Sequence, residues 1–208
     1  AEPTRVQTLE RFAEKFRPCG FKRQSLFPCY GLAESTLYAT GGWLGDGAHV
    51  KSLRASALVR GRVEESDASA ADCRQLVGCG VSAEAAQCLI VDPERAVLTA
   101  PGQVGEIWLA SPSVAAGYWQ REAESAATFA ARLADGSGPY LRTGDLGFMD
   151  AGELFITGRI KDILKIRGLS HAPQDIERTV EECHPAIRPG CVAAFSYLSD
   201  GEEQLVVT

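Results

Sequence analysis

No apolar run in these 208 residues approaches the roughly 18–20 that a membrane-spanning helix needs, and no signal-peptide pattern opens the chain. No two of the seven cysteines (Cys19, Cys29, Cys73, Cys79, Cys88, Cys183, Cys191) form a C-x-x-C pair, and their number is odd. That supports neither a zinc site nor a disulfide framework, so reduced, mostly buried thiols in a cytoplasmic protein are the expected state. Histidine is scarce, and His49, His171 and His184 stand at no metal-ligand spacing. Basic residues are outnumbered, 21 Lys and Arg against 27 Asp and Glu, for a formal charge of −6. The clustered positive excess that a general nucleic-acid binder uses against phosphates is therefore missing, so no nucleic-acid partner is expected; a small anion at one local basic site remains possible. There is no initiator Met, no internal repeat and no low-complexity tract, and the chain stops inside the apolar run QLVVT. It is expected to be a piece of a longer protein, with some of the chemistry outside it.

What is present is globular: 45% apolar and 23% charged residues, enough chain for one domain or one and a fraction. Residues 4–16 carry Val6, Leu9, Phe12, Ala13 and Phe16 at helical spacing, with Thr4 and Gln7 at capping-box spacing. SLFPCY reads as a short strand or extended entry. Residues 41–75 are polar and turn-rich around a strand candidate near 57–63. Beyond them the pattern predicts strands at 76–79, 88–92, 105–110, 140–143, 146–149 and 153–157, with one helix at 121–133 and a hairpin turn at Asp150 and Gly152. Pro173 opens a helix, and CVAAFSYL and QLVVT follow as strands around the turn SDGEE. That β-α-β-β run of about 48 residues reads as the start of a second, small α+β domain.

Three stretches carry candidate chemistry. In CYGLAEST, Tyr30 can lie flat on a planar ligand because Gly31 lets the backbone approach closely, and Glu34 can hold a hard cation such as Mg²⁺ beside phosphates. A buried Tyr with a surface Glu in a turn fits the same residues. In YLRTGDLGF, Asp145 can accept two hydrogen bonds from a vicinal diol such as a ribose; an Asp capping a β-bend is the alternative. In GRIKDILKIRG, strand alternation would put Arg159, Lys161, Lys165 and Arg167 on one face, where polyphosphate would relieve their repulsion. A solvated edge strand that uses charge against aggregation reads equally well.

In series, AEP, YGLAE, GEIWLASPSVAAGYW, YLRTGD and GRIKDILKIRG followed by APQDIE resemble the adenylate-forming superfamily of acyl-CoA synthetases, peptide-synthetase adenylation domains and luciferases, over nearly the whole chain. Within it the sequence looks like a fatty acyl-AMP ligase. Ala33 stands where the broader superfamily usually has Thr, LVGCG and a lengthened 41–88 region precede VGEIW where this subfamily carries an insertion, and HAPQDIE is close to its H-x-P-Q-D-I-E signature. Leu169 and Ser170 replace the Arg-Asn of that pattern, so contacts of those two side chains are not carried over.

The resemblance implies an α/β fold: residues 1–160 as the C-terminal, β-rich portion of the large AMP-binding domain, and 161–208 as the beginning of a mobile C-terminal domain hinged at Lys161. It implies ATP and Mg²⁺ as cofactors, with the AEP backbone (Ala1, Glu2) beside adenine, Tyr30 stacked on it and Gly31 adjoining. Asp145 would sit on the ribose hydroxyls, Ile156 against the sugar, Arg159 on the ribose and Glu34 on the metal. Glu34 and Lys161 would be the catalytic pair. A fatty acid would be activated as acyl-adenylate and passed to the phosphopantetheine arm of an acyl carrier protein, in lipid, polyketide or lipopeptide biosynthesis. The phosphate loop of such enzymes would precede this chain and a second catalytic Lys would follow it, so these residues alone are expected not to make adenylate. An acyl-CoA synthetase, an amino-acid adenylation domain, or a nucleotide-binding regulatory module without turnover are the rival expectations.

Overall fold

A computed structural model describes residues 4–83, 85–166, 169–199 and 202–208. The chain separates into two compact units that divide between Thr157 and Gly158. In the first, α1 (Val6–Phe16) precedes β1 (Cys29–Tyr30), β2 (Thr40–Gly41), β3 (Val50–Arg54), α2 (Ala55–Leu58), β4 (Cys73–Val77), β5 (Val81–Ser82), β6 (Gln87–Asp92), β7 (Val97–Leu98), β8 (Gly105–Ala110), α3 (Glu122–Phe129), β9 (Leu141–Asp150) and β10 (Glu153–Arg159), whose last two residues begin the second unit.

The framework is a five-stranded sheet in the order β10-β9-β8-β6-β7. Central β8 is covered on both faces: Ile107 and Leu109 enter a cluster with Tyr30, Ile90, Leu141 and Leu154, while Trp108 packs with Val91 and Leu133 on the other side. A strand enclosed on both faces reads as a continuous apolar run, which is why GEIWLA does not alternate. The smaller β1-β2-β5 sheet lies beside it in sequence, and β3 and β4 form a ribbon. Cys79 N–H donates to the Leu154 carbonyl and Leu154 N–H to Gly80, so the chain after β4 covers the outer edge of β10.

Several local expectations change. The helix starts at Val6 with extended Arg5 before it and no side-chain cap, so Thr4 lies one position too early to form the capping box. Only its Val6, Leu9 and Ala13 side is covered; Phe12 and Phe16 join Phe21 in a partly exposed aromatic group. The strand candidate at 57–63 is the helical turn α2 and the turns after it, as suits an Ala-Ser-Ala-Leu run without β-branching. The two strands at 140–143 and 146–149 are one strand, β9, running through Gly144 and Asp145.

The thiols are less enclosed than expected. All seven are free, but Cys19, Cys29, Cys183 and Cys191 are exposed and only Cys79 is fully buried. Burial pushes both the Cys79 and Cys88 thiols up to about 12, so both stay protonated at pH 8. A maleimide at pH 8 is expected to label the four exposed cysteines rapidly and to reach Cys79 and Cys88 only after denaturation. Peptide mapping that finds early label on Cys79 or Cys88 would contradict this assignment.

The second unit holds β11 (Leu164–Ile166), β12 (Leu169–His171), α4 (Pro173–Cys183), β13 (Ala194–Ser199) and β14 (Glu202–Val207). β11 pairs antiparallel with β12 and β13 with β14. Pro173 occupies the first helical turn of α4, where its missing N–H costs nothing. Glu177 and Glu181, one turn apart, accept from the N–H groups of Ala194 and Gly190 and tie the helix to the start of β13. The single basic strand does not exist: a 3-10 turn at Ile160–Asp162 interrupts it between β10 and β11. Arg159 and Lys165 therefore belong to different strands, and Arg167 lies outside the described residues. No helix among the described residues is long and apolar enough to cross a membrane.

Candidate functional site

Asp145 owes its position to a bulge. Glu106 pairs with Leu146 and Trp108 with Arg142, so Thr143, Gly144 and Asp145 of β9 stand opposite Ile107 alone. Two residues more than a regular ladder needs must leave the plane of the sheet, which re-aims the side chains there. Gly144 takes φ +71, a left-handed conformation that a side chain would disfavour. Thr143 Oγ1 donates to the Ile107 carbonyl at 2.7 Å and accepts the Asp145 N–H at 3.1 Å, closing the bulge on both sides.

The Asp145 carboxylate is 7% exposed and accepts from the Tyr30 hydroxyl at 2.7 Å across 115 positions of sequence. Burial, and then the neighbouring Asp145 charge, push the Tyr30 phenol well above its ordinary value. Tyr30 therefore stays protonated and a donor throughout the working pH range. Its ring is only 4% exposed and belongs to the sheet cluster, where Ile156 also packs. The backbone folds back sharply after it. A side chain on Gly31 would meet the Leu37 carbonyl oxygen at 1.2 Å, so only glycine fits. Thr36 and Leu37 both take positive φ, a strained pair kept in place by the bonds from their N–H groups to the Ala33 and Leu32 carbonyls.

Glu34 is half-buried, and its Oε1 accepts from the Tyr118 hydroxyl at 2.8 Å. Its backbone carbonyl accepts from Ala115, and Thr36 Oγ1 donates to the Ser113 carbonyl, so the loop after β1 is stapled to the segment after β8. Tyr118 in turn packs edge-on against Phe129 of α3 at 5.0 Å, and its N–H donates to Ser125 of the same helix. One carboxylate could hold Mg²⁺ only together with phosphate and water ligands, since that ion commonly takes one or two acids rather than a protein cage. Among the described residues no group of three or more His, Cys, Asp or Glu could hold a metal.

Tyr30, Gly31, Ile156 and Asp145 are thus brought together, and Glu34 is held separately by Tyr118. Arg159 ends β10, exposed, and Lys161 is exposed in the 3-10 turn of the second unit. Ala1 and Glu2 lie outside the described residues. Two participants were missed from sequence. Tyr118 lies in GEIWLASPSVAAGYW, where nothing local marks it as a partner of Glu34. Glu106 had a visible signal, a charge inside the most apolar strand, because a buried carboxylate must be paired.

Comparison with known proteins adds two family matches: AMP-binding enzyme over residues 1–119, and the AMP domain of Disco-interacting protein 2-like proteins over residues 161–199. A medium-chain-fatty-acid–[acyl-carrier-protein] ligase, JamA of Moorena producens, is 47% identical over all of this chain and 36% of its own length. The long-chain-fatty-acid–AMP ligase FadD26 of Mycobacterium tuberculosis is 39% identical over 99% of the chain and 35% of its own length. The crystal structure of a fatty acid AMP ligase from Legionella pneumophila superposes with a TM-score of 0.75 at 40% identity, over all of this chain and 36% of that one. The chain spans about a third of the length of these relatives, and its mixed helix-and-sheet architecture is that of the corresponding part of adenylate-forming enzymes.

Proposed function

The chain belongs to the AMP-binding enzyme family, and from that premise we propose that it is part of a fatty acyl-AMP ligase, which activates a fatty acid with ATP and passes the acyl group to the phosphopantetheine arm of an acyl carrier protein. The observation that carries this reading is the buried Tyr30–Asp145 pair on the β9 bulge, which joins the two segments to which the sequence resemblance assigns adenine and ribose. The relatives named above as fatty-acid ligases support the acyl substrate, and JamA's name supports the carrier acceptor.

In the reaction proposed, an oxygen of the fatty carboxylate bonds to the α-phosphorus of ATP while the bond to the bridging oxygen breaks and pyrophosphate leaves. The residues here bind and align. Asp145 accepts from both ribose hydroxyls with Tyr30 fixing its orientation, and Ile156 lies against the sugar. Tyr30 and Gly31 face the adenine, together with the backbone of Ala1 and Glu2; stacking requires the Tyr30 ring to be uncovered as the nucleotide enters. Mg²⁺, held by Glu34 through the carboxylate that Tyr118 orients, would offset charge on the phosphates. Residues 1–160 would complete a large nucleotide-binding domain and 161–208 begin a smaller one, with Arg159 reaching the ribose and Lys161 at the pivot. The setting proposed is cytoplasmic, without nucleic acid.

The test is ATP–pyrophosphate exchange by the complete protein with fatty acids of graded length, followed by offering the adenylate to a pantetheinylated carrier protein or to free coenzyme A. Exchange that depends on fatty acid, with transfer to the carrier, is the expected outcome. AMP binding without exchange for any fatty acid would favour the regulatory-module reading, and efficient transfer to coenzyme A would favour a synthetase.

A further inference from the structure

The side chain that holds the β9 bulge is buried in the opposite strand. Glu106 is 1% exposed and its carboxylate accepts from four N–H groups: Gly144 N at 3.2 Å, Trp108 Nε1 at 2.9 Å, and Arg142 Nε and Nη2 at 3.0 and 2.7 Å. Arg142 also lies over the Trp108 ring, 5.4 Å from its centroid. A buried, fully bonded carboxylate of this kind is rigid, because each donor would be orphaned if it moved. The donors are not scattered. Gly144 is the apex of the bulge, Arg142 is the last paired residue before it, and the acceptor on the facing strand pairs with Leu146, the first paired residue after it.

We propose that Glu106 is a positioning residue for nucleotide recognition: by holding the Gly144 amide and the Arg142 guanidinium it sets the shape of the Thr143–Gly144–Asp145 bulge, and so the aim of the Asp145 carboxylate at a vicinal diol. In a regular antiparallel ladder a backbone carbonyl of β8 would accept from β9 at this point; the bulge removes that partner, and the Glu106 side chain takes its place. Thr143 anchors the other flank through the Ile107 carbonyl. Glu106 does not touch the ligand, and it acts through the backbone of a residue that does. This inference rests on the ribose role proposed above for Asp145.

The test uses the complete protein and compares calorimetric dissociation constants for AMP and for 2′,3′-dideoxy-AMP, which lacks the diol. Glu106→Gln puts an amide N–H against donors that need an acceptor, whereas Glu106→Asp keeps the charge but stops one methylene short. In each, the preference for AMP is expected to fall by about tenfold or more, the equivalent of losing one good hydrogen bond, with dideoxy-AMP affinity changed less than about threefold. General loss of folded protein would lower both affinities alike and leave their ratio intact. If Gln prevents folding, the Asp variant alone carries the comparison. A wild-type preference retained in the folded variants overturns the role of Glu106 and leaves the adenylate reading standing. No preference in the wild type overturns the ribose role of Asp145, and this inference with it.

Discussion

Replacing Asp145 by Ala is expected to weaken AMP binding to the complete protein by about 10²–10⁴-fold, because two hydrogen bonds to an ionised acceptor, each worth roughly 1.5–3 kcal/mol, are lost together. The affinity for 2′,3′-dideoxy-AMP should barely change. Asp145→Asn separates charge from shape, because the amide oxygen can still accept the Tyr30 hydroxyl, now at 2.7 Å from the carboxylate. Its loss should be smaller, about tenfold, since hydrogen bonds to a neutral acceptor are roughly half as strong. Tyr30→Phe removes the same contact from the other side while keeping the ring in its cluster. It should reduce diol discrimination without unfolding the sheet. Equal weakening of AMP and the dideoxy analogue by Asp145→Ala would mean that this acid holds the fold and not a sugar.

The second large effect concerns stability. Phe155 is 1% exposed and stacks on Phe148 with centroids 5.1 Å apart and planes 6° from parallel. The pair closes a cluster with Leu53, Leu58 and Leu76, all from residues 41–88. Phe155→Ala removes the apolar burial and leaves a cavity, a cost of about 3–5 kcal/mol. For a folded stretch of 208 residues that lowers the thermal midpoint by roughly 10 °C. Phe155→Leu should recover most of it. Because the cluster bridges the sheet and the β3-β4 ribbon, the ribbon should open first. Limited proteolysis is therefore expected to accelerate between β3 and β4, at residues 59–72. Leu44→Ala, at a side chain 91% exposed, is the control and should change stability by no more than about 0.5 kcal/mol. A Phe155→Ala protein as stable as that control would mean that the 41–88 region packs elsewhere.

Local chemistry explains what could be read in advance. The helix opening at Pro173, the strands at 88–92, 105–110 and 153–157 and the turn at Asp150 and Gly152 rest on periodicity and turn residues within a few positions of each other, and they appear within a residue or two. The same local rules misread GRIKDILKIRG, because a period-two pattern can be written into a segment that turns at Ile160–Asp162. They also split β9 at T-G-D, because a glycine and an acid in a strand look alike whether they make a turn or a bulge.

The family to which the order of the motifs points was legible in the linear sequence, and the same motifs name the candidates Tyr30, Glu34, Asp145 and Lys161 whose roles are proposed above. Only the tertiary structure decided that Tyr30 lends its hydroxyl to Asp145, that Tyr118 grips Glu34, and that Glu106 fills the gap in the ladder beside the bulge. Propensity and spacing act between neighbours along the chain. Glu106 finds Trp108 two positions along its own strand, but Arg142 and Gly144, and Tyr30 for Asp145, come from segments 36 to 115 positions away and meet the acid only once the sheet has closed around them.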